Sequence, residues 1–449
     1  MSIRRTRMGD LVAASTYRHS LLAAMNIFLA ARLFSQLPRR RSHTRWRPRL
    51  ISFAAILMAW EPAPSLTQRF TAVFDCLTAM FPSRRRPGRT YRGFTEALAA
   101  VSPWLEDAVR KHLRQATTGL GPRALTREGW RTFAVDGSKI DCPRSIANEV
   151  EFGTAGKSGC GPQMLLTTIW DMGSGLPWDW RIDRARGSER EHLGQMHHAL
   201  PADALLVADA GFTGFDLLSA LNRAGRSFLV RVGSNVTLLR RLGYVRQEGR
   251  DTVYLWRTGR RHRRRRPLVL RLIRAKHKGA TVYLITNVLD PQRLPRAAAG
   301  RLYRLRWGVE VFYRSFKQTL QKRKMFSTSP RMARLELTWS LIGLLVLGLL
   351  NVRMLIARGI DPLQASVGNA IKVMRQAMRY ALGRPMRLSK LLRLLGEAIK
   401  DGYLRRCSKS SYCWPHKKRQ RPPGPPRTRT ATRQEVALAQ TFRDNPETE

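Results

Sequence analysis

Residues 130 to 290 predict an α/β fold with a mixed sheet and a β-rich insertion, and helical segments precede and follow it. Three observations carry this. Between 130 and 232 the apolar patterns run three strands, helix, strand, helix, strand, an order that lays helices against a sheet. Ala204 to Ala208, "ALLVA", is a continuous apolar run, as in a strand covered on both faces. From about 233 to 290 the pattern is strands only.

Residues 1–127 read mainly as helices with basic linkers, and as a basic DNA-binding region. "FTEALAAVSPWLEDAVRKHLRQAT" supplies two helical stretches broken near Ser102-Pro103, since proline has no N–H for the ladder. "LPRRRSHTRWRPRL" and "PSRRRPGRT" are loops or arms, and no helix-turn-helix register is visible. The first part of the core covers 128–232. There "RTFAVDG" is a short strand ending at Asp136, and "QMLLTTIW", the turn "DMGSG" and "LPWDWRI" form a hairpin. Ser188 and Glu191 make a capping box that opens the helix "SEREHLGQMHHAL". "GFDLLSALNRAG" is a helix stopped by Gly225, and "SFLVRV" is a strand. The insertion, 233–292, holds "DTVYLWRT", "PLVLRLIRA" and "ATVYLITNV". The second part of the core, 293–352, has a helix over 301–320 and a buried one over Leu337–Leu350. Helices follow in 353–405, one amphipathic through Leu388, Leu391, Leu392 and Leu395. The basic tail, 406–449, is rich in proline and arginine and is expected to be disordered.

Eighty-one lysines and arginines against 31 acids give a formal charge of +50, with hydrophobic residues at the 43% of a globular protein. Self-repulsion of that size excludes an ordinary soluble enzyme and calls for a polyanion. Basic clusters at 39–41, 84–86, 260–266 and 417–419 suggest a long duplex rather than one groove contact. A membrane surface is the competing polyanion, but the apolar runs do not support it. Leu21–Phe34 contains Asn26 and Arg32 where a signal peptide needs apolar and small residues. Leu337–Leu350 is only fourteen residues, short of the ~20 that cross a bilayer. Five scattered cysteines make no disulfide framework, so a reducing compartment, the cytoplasm, is expected. Cys407, Cys413 and His416 lack a standard zinc spacing and a fourth ligand.

The segment "RLYRLRWGVEVFYRSFKQTL" raises a question, because Glu310 is alone among five cations. At ~100° per residue Leu302, Leu305, Val309, Phe312, Phe316 and Leu320 form an apolar stripe, beside a row of Tyr303, Arg306, Glu310, Arg314 and Lys317. By itself the segment allows two readings. One is a core-facing helix with an Arg306–Glu310 pair worth ~0.2–0.5 kcal/mol. The other is a metal-binding carboxylate flanked by cations that grip phosphate. Asp136 and Asp209 each follow an apolar strand, and carboxyl ends of sheet strands are where ligand sites form. With Glu310 they make three oxygen-donor carboxylates able to hold two Mg²⁺ ions ~3.5–4 Å apart at a phosphodiester. Arg306 and Lys317 would then lie ~16 Å apart along a helix axis, enough to span successive phosphates.

The string Tyr303-x2-Arg306-x3-Glu310-x6-Lys317 resembles the YREK signature of IS4-type insertion-sequence transposases. "VDGS" around Asp136 and "ADAGF" around Asp209 resemble the segments at that family's two catalytic aspartates, in the same order. The resemblance spans roughly residues 130 to 350. It implies an RNase H-like core and a catalytic, metal-binding triad of Asp136, Asp209 and Glu310. It also implies two Mg²⁺ ions (Mn²⁺ as a substitute) and DNA contacts from Tyr303, Arg306 and Lys317. The implied activity is cleavage at the inverted-repeat ends of an element and joining of the freed 3′-OH to target DNA. The implied partner is double-stranded DNA, held by a homodimer. Some members pass through a DNA hairpin and hold a flipped base on a tryptophan of the insertion. Trp256 is the DNA-binding candidate for that role, and a packed strand tryptophan is the other reading. A catalytically inactive DNA-binding descendant is the alternative function, and an RNA-binding basic protein is a third.

Overall fold

Helices that are apolar on one side come first in the computed structural model, which describes residues 19–37, 45–82, 87–154, 160–257, 265–277, 280–383, 386–402 and 424–444. They are α1 (Ser20–Asn26), α2 (Ala31–Ser35), α3 (Pro48–Trp60) and α4 (Leu66–Met80). Pro48 starts α3 where its missing N–H is harmless, and Ser65 caps α4 by accepting from the Gln68 amide. α5 (Tyr91–Thr118) is one helix of 28 residues, not two stretches. Pro103 leaves the Ala99 carbonyl without its helical donor, and the Arg331 guanidinium donates to it instead. With that carbonyl satisfied the helix continues, burying Leu98, Val101, Leu105, Val109 and Leu113 on one stripe.

β1 (Trp130–Asp141) has twelve residues and runs past Asp136, where a shorter strand was expected. After α6 (Ile146–Phe152), β2 (Gln163–Asp171) and β3 (Leu176–Arg184) form the expected antiparallel hairpin. The Asp171 carboxylate accepts from the Gly173 and Ser174 amides, both at 2.9 Å, and closes its turn. α7 (Glu189–Met196) begins at the Ser188 cap, whose hydroxyl accepts from Glu191 N at 3.3 Å. β4 (Ala204–Ala208) is buried at every position. α8 (Phe215–Arg223) is followed by Gly225 at φ +66°, a left-handed stop that suits glycine. β5 (Ser227–Val232), β6 (Thr237–Arg240), β7 (Thr252–Leu255), β8 (Leu268–His277) and β9 (Ala280–Thr286) complete the central strands.

The single helix expected over 301–320 is broken. α9 (Arg296–Leu305) ends in a tight turn in which the Trp307 amide donates to Arg304 O at 3.2 Å. α10 (Gly308–Arg314) follows, and then a π-helical turn, Ser315–Thr319. α11 (Pro330–Ala357), α12 (Val367–Tyr380) and α13 (Leu388–Gly396) come next. The tail differs from its composition. Arg427–Thr430 is a strand, β10, and Arg433–Asp444 a helix, α14. Thr432 and Glu435 exchange bonds in a capping box, and buried Glu435 takes a forked pair from Arg429 at 2.6 and 2.7 Å. Residues 403–423, with the zinc reading at Cys407, Cys413 and His416, lie outside the described residues, as do parts of the basic arms.

The chain divides into two compact units. The first is Met1–Thr126, Gly137–Gly187 and Gly308–Lys400. Its core helix is α11, buried at every position from Leu337 to Leu350 and packed on α3, α5, α12 and α13. The Trp60 indole donates to Gly343 O at 3.0 Å, and Asn351 to Leu395 O at 2.7 Å. α11 is long and apolar enough to cross a membrane, with a mean hydropathy of 2.1, yet 78% of that window is buried in the protein. The second unit is Arg127–Asp136, Ser188–Trp307 and Asp401–Glu449. There the order is β1-β4-β5-β9-β8-β7-β6-β10, so the insertion extends the sheet. β1, β4 and β5 are parallel, β9, β8, β7 and β6 alternate, and β10 closes the edge parallel to β6. β1 has residues in both units, with β4 and β5 parallel to it in the second and the β2–β3 hairpin in the first. A parallel trio and a hairpin are the strands of an RNase H-like core.

Candidate active site

In the second unit β1 and β4 run in parallel register from Arg131↔Ala204 to Ala134↔Val207. Asp136 stands two residues further along β1, and Asp209 two residues further on, just past the end of β4, so the register directs the two carboxylates to neighbouring positions. Neighbouring strands are ~4.8 Å apart, and both residues are half-buried. The buried apolar runs before them fix the strands, and the carboxylates fall where the pairing ends.

Asp209 is held from several directions. Its carboxylate accepts from its neighbour's amide, Ala210 N, at 2.8 Å and from the Tyr303 hydroxyl at 3.0 Å. Arg231 Nη1 lies 3.6 Å away and Arg306 Nη2 3.7 Å. Tyr303 and Arg306 are three residues apart at the end of α9, which turns them to the same side. The Arg306 guanidinium sits 5.5 Å from the Tyr303 ring centroid. Burial, and then the Asp209 charge, push the Tyr303 hydroxyl above its ordinary pKa, so it stays a donor.

In the first unit Glu310 stands in the first turn of α10, half-buried. Two contacts seat that helix on β2. The Tyr313 hydroxyl donates to Leu166 O at 3.1 Å, and Gly308 lies flat on the Trp170 indole, where a Cβ would come within 2.1 Å of a ring carbon. Lys317 is in the π-helical turn, a feature frequent at functional sites. Burial lowers its pKa, Asp141 opposes that shift and Arg323 adds to it. Asp141 accepts from Gln163 Nε2 at 2.8 Å.

The structure therefore groups Asp136, Asp209, Tyr303 and Arg306 in one unit, and carries Glu310 and Lys317 in the other. Trp256 does not stand as a stacking platform. It is 5% exposed, its indole donates to Arg265 O at 2.7 Å, and its ring meets Phe442 of α14 edge-on at 6.2 Å. The packed reading of Trp256 replaces the DNA-contacting one, because an ordered tail covers it. Arg231 was missed. Its signal is an arginine in the otherwise apolar "SFLVRV", on the strand beside β4. Among the described residues no three His, Cys, Asp or Glu side chains are gathered closely enough to hold a metal. The adjacent Asp136 and Asp209 still supply the hard oxygen donors that suit a Mg²⁺-class cation.

Residues 129–346 match the protein family described as Transposase DDE domain. This stretch, just under half of the chain, is similar to a transposase DDE domain. Over 294 residues the protein is 28% identical to "Transposase InsG for insertion sequence element IS4" of Escherichia coli (strain K12), a match covering 61% of this chain and 65% of that protein. The chain thus spans just under two thirds of the curated relative. A solved structure, "Cryo-EM structure of piggyBac transposase synaptic complex with hairpin DNA (SNHP)", is similar at 12% identity and a TM-score of 0.38, over 89% of this chain and 88% of that one. The DDE domain takes in β1 to β9 and reaches into α11, so it includes Asp136, Asp209, Tyr303, Arg306, Glu310 and Lys317. A domain of this class depends on divalent metal, which agrees with the paired aspartates.

Proposed function

We propose that the protein is a DNA transposase that binds the terminal inverted repeats of its insertion sequence, cleaves at the element ends and joins the 3′-OH to target DNA. The observation that carries this reading is the β1/β4 register, which sets Asp136 beside Asp209 within a DDE domain. Glu310 is the third carboxylate of the triad. Together the three would hold Mg²⁺, two ions by this reading and replaceable by Mn²⁺, which supplies Lewis-acid stabilisation at the attacking and leaving oxygens. The chain's own residues do the rest. Tyr303 fixes one oxygen of Asp209, and Arg231 and Arg306 balance its charge, so the carboxylate is oriented before substrate arrives. Arg306 grips a phosphate with its planar fork, and Lys317 supports the strand as a point charge. Joining exchanges bonds one for one: the element's 3′ oxygen bonds to a target phosphorus as the target's own 3′ oxygen departs.

The basic helical region 1–127 reads the element ends, and a homodimer brings two ends together on duplex DNA. The +50 charge supplies affinity through counterion release, so binding weakens steeply as salt rises. The test is incubation of the protein with labelled DNA carrying its own gene's flanks, with Mg²⁺ or with EDTA, beside Glu310→Gln and Asp209→Asn variants. Discrete Mg²⁺-dependent nicks at matching inverted repeats, absent in both variants, are expected. Tight binding without cutting, unchanged in the variants, would leave the inactive DNA-binding descendant as the function.

A further inference from the structure

The first unit contains a cavity of about 40 Å³ that plays no part in the reaction above. α3, α4, α5 and α11 wall it, together with the chain between the π-turn and α11. Most of the lining is apolar, including Met58, Phe94, Leu98 and Trp339. Three charged side chains reach it: Arg69 from α4, Lys322 from the connecting chain and Glu336 from α11.

Their bonding is uneven. Arg69 is 2% exposed; its Nε donates to Ala63 O at 2.7 Å and its guanidinium stacks 4.6 Å from the Phe326 ring centroid. Its Nη1 is buried without a partner. Lys322 is 1% exposed, and its ammonium has no hydrogen bond or ion pair among the described residues. Glu336 is occupied elsewhere. It accepts from the Phe326 amide at 3.0 Å, the Ser327 amide at 3.1 Å and the Ser327 hydroxyl at 3.0 Å. Further out stand Arg375, whose Nε donates to Trp60 O at 2.6 Å, and Glu61. Three cations thus face two acids, an excess of one positive charge in a largely apolar pocket. Burial, then Arg69, pushes the Lys322 ammonium down to about 7, with Glu336 opposing and Arg375 adding to the shift.

A buried cation without a partner is costly, and so is a buried N–H without an acceptor. Water in the cavity would satisfy Arg69 but leave the charge. Loss of the lysine proton would remove the charge but leave Arg69 Nη1 unbonded. A small anion corrects both. One water-sized body needs ~10–15 Å³, so the volume suits a halide ion with one or two waters and excludes a nucleotide. We propose that this cavity binds a monovalent anion of the halide class, chloride in ordinary solution, between the Arg69 guanidinium and the Lys322 ammonium. The ion ties α4 to the chain that follows the Lys317 turn.

The test uses the full chain. Crystals soaked in bromide are expected to give an anomalous peak between Arg69 and Lys322. Melting temperature is expected to rise saturably, by about 2–4 °C, in sodium chloride over sodium gluconate at equal ionic strength. In Lys322→Met that increment is lost. An anomalous map with water alone in the cavity, or an equal increment in Lys322→Met, would overturn the proposal. Should Lys322→Met fail to fold, the bromide map of the unmodified protein decides.

Discussion

Gly308 illustrates how much one methyl group matters at this site. A Cβ there would lie 2.1, 2.6 and 2.9 Å from three atoms of the Trp170 indole, a rigid ring with no flexible end to yield. Gly308→Ala is therefore expected to push α10 off β2, two residues from Glu310, and to destabilise by about 1–3 kcal/mol. Thermal unfolding checks this: a melting temperature equal to the parent's would mean that Trp170 turns aside without penalty. Residues whose positions are set by local spacing were legible in the sequence. Asp136 and Asp209 each follow an apolar strand, and Tyr303 and Arg306 share one end of a helix. Arg231 was not legible, because its carboxylate partner belongs to a different strand and only the β4–β5 pairing brings them together. The two readings of Trp256 could not be separated in the sequence for a related reason: its ring meets Phe442, far along the chain.

Elements were legible where the signals that start and stop them are local. The Ser188 cap, the Gly225 stop and the hairpin around Asp171 all stand where the sequence predicts them. Three elements failed, each through a partner from elsewhere. α5 survives Pro103 because Arg331 satisfies the exposed carbonyl. The helix over 301–320 breaks just before Gly308, which lies against Trp170. The tail folds because β6 offers an open edge to β10, and the Thr432–Glu435 capping box was a local sign of α14 that composition masked. β10 and α14 form further bonds to that edge, with the Arg427 amide donating to Val236 O at 2.9 Å and Arg443 Nη1 to Gly243 O at 3.3 Å. Deleting residues 424–449 is expected to leave β6 unpaired and to cause concentration-dependent self-association, read by size-exclusion chromatography with light scattering. A deletion variant that elutes like the parent at every concentration would mean the edge is protected by other means.

At the scale of the molecule, strand patterns told that residues 233–290 are β-rich but not that they extend the central sheet, since alternation specifies a strand without naming its neighbour. Stability is also a property of the whole chain, and Glu106 on α5 should set part of its pH dependence. Burial pushes the Glu106 carboxyl up to about 7, against the pull of Ser102, Arg110 and Trp339. In the unfolded chain it titrates near the ordinary ~4.5, so between these values the folded state binds the extra proton. Its contribution is therefore neutral below about pH 4.5 and turns increasingly unfavourable as pH rises towards 7. Urea midpoints of the parent minus those of Glu106→Gln should fall across that window, by a few kcal/mol in stability, and be level above it. A flat difference from pH 4.5 to 7 would contradict the shift.

The parallel pairing of β10 with β6 also has a consequence in the order of synthesis. Thr237–Arg240 leave the ribosome long before Arg427–Thr430, so the growing chain must carry the insertion with its sheet edge open and Trp256 uncovered until the last strand is made. Whatever the nascent insertion meets in that interval, a chaperone, another copy or nucleic acid, meets a surface that the finished protein no longer shows.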